Sequence, residues 1–307
     1  MTYTAQMLKV EDILKKSGLT ENTAVQYVKR LVRLNKRKPF KSLAFVKKTE
    51  KIMEYMKNEV FSPSSTESYV AMIISVLKKM PTKSNDKARE QYEKILENPS
   101  GYYEKKDKSV KTEKQKNNWI EKEYIDTKIN QLKSKTVSLN RKKNITQIEW
   151  NYLLDYFVVS LYTLLQPRRN IDYIDMIINE DNEKSNIIDT TKREMTFRNY
   201  KTVKTYGEQT ISYADNKEFI KVLNLYLKHR PKNNNNLLVK YDGVPLYTSN
   251  QITRILNRIF ERNVSSSMLR HIYLTDKYKD VSDEMVDDAN KMGHSISTQQ
   301  TMYVKND

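Results

Sequence analysis

The chain contains no cysteine, which excludes disulfides, thiolate nucleophiles and cysteine-ligated zinc by inventory. Only three histidines occur among 307 residues, too few for a histidine-rich metal site. No apolar run approaches the roughly 20 residues of a membrane span. The opening MTYTAQMLKVEDILKK lacks the uninterrupted apolar core of a signal peptide, and no basic amphipathic anchor stands out. A soluble, intracellular protein is expected, with no metal, no other cofactor and no membrane partner.

Positive charge, by contrast, is in excess. Lys and Arg number 55 against 38 Asp and Glu, a net charge of +17. Nucleic acid is the natural partner for such a balance. A charge excess that serves solubility alone is the plain alternative. The length suits two ordinary domains, each able to bury its own core.

The pattern along the chain is mainly helical. Residues 1–98 read as a bundle of four or five helices. Thr20 precedes a helix with Val25, Val28, Leu31 and Val32 inward and with Lys29, Arg30, Arg33, Lys36 and Arg37 on its surface and end. Ser64-Ser65-Thr66-Glu67 has the spacing of a capping box ahead of Val70, Ile73, Ile74 and Leu77. Further helices are predicted over 5–16, 42–58 and 86–96. Pro99-Ser100-Gly101 and the basic, apolar-poor stretch after it predict a linker over 99–116. A second domain over 117–307 follows, with helices over 121–132 and 146–165, the latter ended by Gln166-Pro167. Alternation of Met195 and Phe197, and of Ile211 and Tyr213, predicts an antiparallel β-hairpin over 194–213. Helices are predicted again over 217–229, 248–262, 267–278 and 283–292, while the polar run 233–236 reads as loop.

Four separated segments share one chemistry: Pro167-Arg168-Arg169-Asn170-Ile171-Asp172, Tyr200-Lys201-Thr202-Val203-Lys204, Ser267-Met268-Leu269-Arg270-His271, and Gly293-His294-Ser295 with Tyr303 beyond it. A phosphodiester under attack gathers negative charge on its non-bridging oxygens, and fixed guanidiniums can stabilise it as metal ions do. Arg169 and Arg270 offer planar forks of donors that a lysine cannot copy. Taken singly, each has a plainer reading: Arg169 can pair with Asp172 in an internal salt bridge, a hairpin lysine is usually solvated, and a tyrosine near a terminus usually packs.

In order and spacing these segments resemble the catalytic signature of the tyrosine recombinases, the phage-integrase-like family. That pattern has an Arg with an acidic residue three positions on, a hairpin Lys, His-x-x-Arg-His, and Leu-Gly-His with a Tyr nine residues past the His. Arg169 and Asp172, Lys201, Arg270-His271, and Met292-Gly293-His294 with Tyr303 match it in turn. The resemblance covers residues 117–307 in detail and the helical core-binding domain, 1–98, more loosely. Pro167-Arg168-Arg169-x-x-Asp172-Tyr173 and Lys201-Thr202-x-Lys204-x-Tyr206-Gly207 are nearest to the integrases of virophages and large DNA viruses.

The resemblance implies a helical DNA-binding domain followed by a catalytic domain that cleaves duplex DNA through a 3′-phosphotyrosine bond. Tyr303 is then the nucleophile, Arg169 and Arg270 clamp the phosphate, and His294 donates to it or holds Tyr303. Lys201 protonates the departing 5′-oxygen, with Lys204 as its rival. Asp172 and His271 are accessory, His271 alternatively as a buried packing residue. A homotetramer on synapsed DNA is the implied assembly, and Lys29, Arg30, Arg33, Lys36 and Arg37 are the expected DNA contacts of the first domain. A type IB topoisomerase and a cleavage-deficient DNA-binding protein are the competing readings.

Two positions depart from the pattern. Ser267 stands where the family has its first His and cannot accept a proton comparably near pH 7, and Gln166-Pro167-Arg168 stands where many relatives have a Gly. Only Val304 to Asp307 follow Tyr303, short of the segment with which many relatives dock on a neighbour, so delivery of Tyr303 in trans is a further expectation.

Overall fold

Hydroxyl side chains set most of the helix starts. In the computed structural model, which describes residues 3–104, 110–180 and 182–292, the chain divides into two units, Met1–Val110 and Lys111–Asp307.

In the first unit Thr4 caps α1 (Ala5–Lys16) and Thr20 caps α2 (Glu21–Leu34), each hydroxyl accepting a backbone N–H of the first turn. Such a cap is worth about 1 kcal/mol over alanine. Helix α3 (Thr49–Asn58) starts later than the 42–58 expectation, because 42–48 form turns instead. Helix α4 (Pro63–Lys78) begins at Ser62, which accepts from the Ser65 N–H, with Pro63 supplying a pre-set φ at the first helical position. The capping box predicted at Ser64 is therefore corrected: Ser64 already lies inside the helix. Helix α5 (Lys83–Glu97) starts at Thr82. Val28, Leu31, Val32, Val70, Ile73 and Leu77 enter one core, where burying each such side chain is worth about 1.5–3 kcal/mol. Val25 is only half-buried, and Ala24 takes the inward place expected for it.

The second unit opens with α6 (Glu113–Asn118), capped by a Thr112–Gln115 box inside the stretch expected as linker. It continues through α7 (Lys122–Thr136) and a 3-10 turn to α8 (Gln147–Thr163), which Thr146 and Glu149 cap reciprocally. Helix α8 is buried nearly all round, with Phe157 stacked on Tyr226 at 4.1 Å between ring centroids. After the short α9 (Asn170–Ile174) come β1 (Ile177–Ile178), β2 (Ile187–Asp189), β3 (Glu194–Phe197), the helical turn α10 (Val203–Tyr206) and β4 (Gln209–Ser212). These form one sheet in sequence order, with β1 parallel to β2 and the other neighbours antiparallel. The predicted hairpin is present as β3–β4, within a mixed four-stranded sheet that period alone did not reveal.

Helices α11 (Lys217–His229) and α12 (Ser249–Phe260) complete the layer around α8. Residues 266–292 form one helix, α13 (Ser266–Met292), rather than the two predicted. The 279–282 stretch contains no glycine or proline to break it. The fold is mainly helical with a small mixed sheet.

Candidate active site

Pro167, buried after the end of α8, turns the chain into Arg168 and Arg169, and Arg169 is the extended residue preceding α9. Helix α9 is fastened on two sides. Asn170 accepts from the Tyr162 hydroxyl at 2.7 Å and donates to the Ser249 carbonyl and the Thr253 hydroxyl, both at 2.9 Å. The Tyr173 hydroxyl donates to the Leu161 carbonyl at 3.2 Å. The two arginines before α9 therefore project from a short but rigid support.

They have different surroundings. Arg168 Nε donates to Asp172 Oδ2 at 3.1 Å, and its Nη1 donates to Gln209 at 3.0 Å. Its guanidinium also lies 3.8 Å from the centre of the Phe197 ring. The internal salt bridge that competed for Arg169 is thus corrected: Asp172 bonds to Arg168, one residue earlier. Arg169 donates no side-chain hydrogen bond among the described residues and lines an open cavity of about 330 Å³.

Arg270, in the first turns of α13, lines the same cavity. Its Nε is buried with no hydrogen-bond partner among the described residues, as is Asp172 Oδ1. Burial holds the Arg270 guanidinium below the ordinary arginine range, and the charge of Arg169 adds to the effect. Burial likewise raises the Asp172 carboxyl, against the pull of Arg168. Three guanidiniums face one carboxylate here, so the cavity carries an excess of two positive charges. An anion with several acceptor oxygens answers that imbalance.

The loop between β3 and β4 supplies Tyr200, Thr202 and Tyr206 to the cavity wall. It closes on itself through the Tyr200 hydroxyl, which donates to the Gly207 carbonyl at 2.6 Å, and through Arg198 Nε to Glu208 at 2.6 Å. Lys201 lies in this loop rather than on a strand, exposed between two lining residues, and Lys204 is exposed on α10.

Ser267 and His271 share another side of α13. Both are exposed and line a groove of about 460 Å³ with Lys114, Gln115, Asn257 and Asn263. The reading of His271 as a buried packing residue is corrected, since one helical turn of α13 leaves it at the surface. His294 and Tyr303 lie outside the described residues. No group of three or more His, Cys, Asp or Glu among the described residues could hold a metal ion, and no helix is long and apolar enough to cross a membrane.

In the first unit, Lys29 is exposed on α2, and Lys36 follows it with a positive φ of 55°. Arg30 donates to Ser68 at 3.0 Å, Arg33 lies 4.2 Å from the Phe61 ring centre, and Arg37 pairs with Glu59 at 3.7 Å. Three of the five expected DNA contacts therefore have partners within the unit.

Sequence reasoning passed over Arg168, which differs from Arg169 only in its register to Asp172, and Asn186, which carries no motif signal. Asn186 is buried and bonds the backbone of α9 to that of the β3–β4 loop.

No protein-family model matches the sequence, and no curated protein matches it. Among solved structures the chain is similar to XerA recombinase, at 13% identity and a TM-score of 0.38 over 98% of this chain and 93% of that one. It is also similar to the Tn1549 transposon integrase in complex with a circular intermediate DNA, at 15% identity and a TM-score of 0.44 over 97% and 96% of the two chains. With the same integrase on transposon right end DNA the values are 16% and 0.43, over 97% and 95%.

Proposed function

We propose that this protein is a tyrosine recombinase, a site-specific enzyme that cleaves and rejoins duplex DNA through a 3′-phosphotyrosine intermediate without metal or ATP. The observation that carries the reading is the meeting of Arg169 and Arg270 in one cavity, with the nearby carboxylate already bonded to Arg168.

In this reading the two guanidiniums hold the non-bridging oxygens of the scissile phosphate and stabilise the charge that grows there. The Tyr303 hydroxyl oxygen attacks phosphorus, the bond to the 5′-oxygen breaks, and Lys201 protonates that oxygen as it departs. His294 donates to the phosphate or holds Tyr303. The phosphotyrosine bond keeps the energy for rejoining. Residues 1–98 act as the helical DNA-binding domain, a homotetramer synapses two duplexes, and the motifs around Arg169 and Lys201 favour integration of viral or other mobile DNA.

The test is covalent capture from a library of nicked random-sequence duplexes in EDTA, followed by sequencing of protein-linked DNA. Wild-type protein is expected to retain DNA through SDS, and Tyr303→Phe to retain none while still binding duplex. Absence of any adduct sinks the reading.

One observation favours a second reading, a duplex-binding protein that cleaves slowly or not at all. No histidine among the described residues lines the arginine cavity, Ser267 and His271 lying in a separate groove. Duplex binding with no adduct in the same capture experiment supports it.

A further inference from the structure

Asn186 immediately precedes β2 and is 1% exposed. Its side chain bonds only to backbone. Nδ2 donates to the Asp172 carbonyl at 2.8 Å and to the Asn199 carbonyl at 2.9 Å. Oδ1 accepts the N–H of Arg198 at 2.9 Å and that of Asn199 at 2.8 Å. A carboxamide has two donor hydrogens and two acceptor lone pairs, so its capacity is filled.

These four bonds join two segments that the sheet does not join. The β2–β3 register ends at Ile187 opposite Thr196, so residues 198 and 199 lie beyond the ladder, and Asp172 lies in α9. One segment carries Arg169 and Asp172. The other leads within two residues of Asn199 to Lys201. The internal bonds of the β3–β4 loop close it on itself, whereas Asn186 fastens it to α9.

We infer that Asn186 is a positioning residue for strand cleavage, holding the β3–β4 loop against α9 so that Lys201 reaches the leaving 5′-oxygen while Arg169 holds the phosphate. The inference rests on the reading of those two residues given above. In the step concerned, the bond from phosphorus to the Tyr303 oxygen forms as the bond to the 5′-oxygen breaks. The Lys201 ammonium supplies the proton of the new 5′-hydroxyl, and the phenolic proton passes to solvent. The loop also contributes Tyr200, Thr202 and Tyr206 to the cavity wall, but α9 beside Arg169 is held by the separate bonds of Asn170 and Tyr173, so a displaced loop impairs the leaving-group proton first.

The experiment replaces the scissile 5′-oxygen by sulfur in a duplex sequence recovered by covalent capture. A thiolate, whose thiol has a pKa of about 8.5, departs without being protonated. Asn186→Ala is expected to cleave the oxygen duplex at least about 30-fold more slowly than wild type, part of the 10²–10⁴-fold that a positioned acid supplies. On the sulfur duplex it is expected to stay within about threefold of wild type, since no acid is then needed. The ratio of the two rates does not depend on how much of the variant is folded. Asn186→Ser, which keeps a hydroxyl donor and acceptor, provides the same ratio if the alanine variant does not fold. Equal losses on both duplexes, or no loss on either, overturn the inference. Failure of wild-type protein to form an adduct on any duplex removes the underlying reading instead.

Discussion

Arg168 Nε donates to Asp172 Oδ2 at 3.1 Å, and this one bond gives two adjacent arginines different surroundings. Arg168 is consumed by the fold, 15% exposed beside a carboxylate that is 2% exposed. Arg169 remains available to a ligand.

Replacing the two arginines should therefore produce opposite results. Arg168→Ala leaves a buried carboxylate unpaired and is expected to lower the stability of the second unit by about 3 kcal/mol. Arg169→Ala is expected to leave stability within about 0.5 kcal/mol and to slow adduct formation about 10²–10³-fold. Urea unfolding followed by tryptophan fluorescence isolates the second unit, because Trp119 and Trp150 are the only tryptophans and both belong to it. A large stability loss for Arg169→Ala would contradict the assignment.

The acid–base behaviour of two carboxyls should differ in sign. Burial raises the Asp172 carboxyl above its ordinary 3.8. Its contribution to stability is full below that value and is lost as pH rises through the raised one. Glu149, bonded to Lys142 and to the Thr146 backbone, is lowered to about 2. Its contribution is present above the ordinary 4.5 and is lost as pH falls toward 2. Across a pH series of urea midpoints, the wild-type advantage over Asp172→Asn should shrink from pH 4 upward, and that over Glu149→Gln should shrink from pH 4.5 downward. Curves parallel to wild type would refute both expectations.

Ser267 and His271 should be dispensable for chemistry. They line a groove with Asn257 and Asn263, whereas Arg270 on the same helix lines the arginine cavity. Adduct rates of Ser267→Ala and His271→Ala are expected within about threefold of wild type, against the 10²–10⁴-fold that loss of a general base or acid costs. A loss of that larger size in His271→Ala would place it in the mechanism.

Duplex affinity should fall steeply with salt, and the basic residues of the first unit should contribute unequally. Lys29→Ala and Lys36→Ala are each expected to flatten the log–log salt slope by about 0.9, the value for one neutralised phosphate. Arg37→Ala should flatten it less, because Arg37 must first leave Glu59 at 3.7 Å. Identical slopes for all three variants would rule out that ordering.

Helix periods made most of the helical architecture legible in the sequence, while the hydroxyl caps became evident in the structure. Thr20, Thr82 and Thr146 each stand where a helix begins, because a β-region residue with a short hydroxyl accepts a first-turn N–H. Errors arose where two local signals competed. Ser62-Pro63 prevailed over Ser64 because proline pre-sets φ at the first helical turn. Helix α13 ran through the 279–282 stretch, where no helix-breaking residue stands. The mixed sheet stayed hidden because β1 and β2 are two and three residues long, too short to display a period.

The sequence by itself determined the inventory of this protein: no thiol chemistry, a large positive charge, and a spaced series of Arg, Lys, His and Tyr. Local rules read such features well, since they depend on neighbours a few residues apart. Tertiary structure alone decided which of two adjacent arginines bonds to Asp172, that Arg270 joins Arg169 in one cavity, and that His271 does not. It also revealed Asn186, whose four bonds reach residues 12 to 14 positions away in the chain. Ion pairing and hydrogen bonding of buried groups depend on which segments meet, and that is set by the packing of the whole unit rather than by any local pattern.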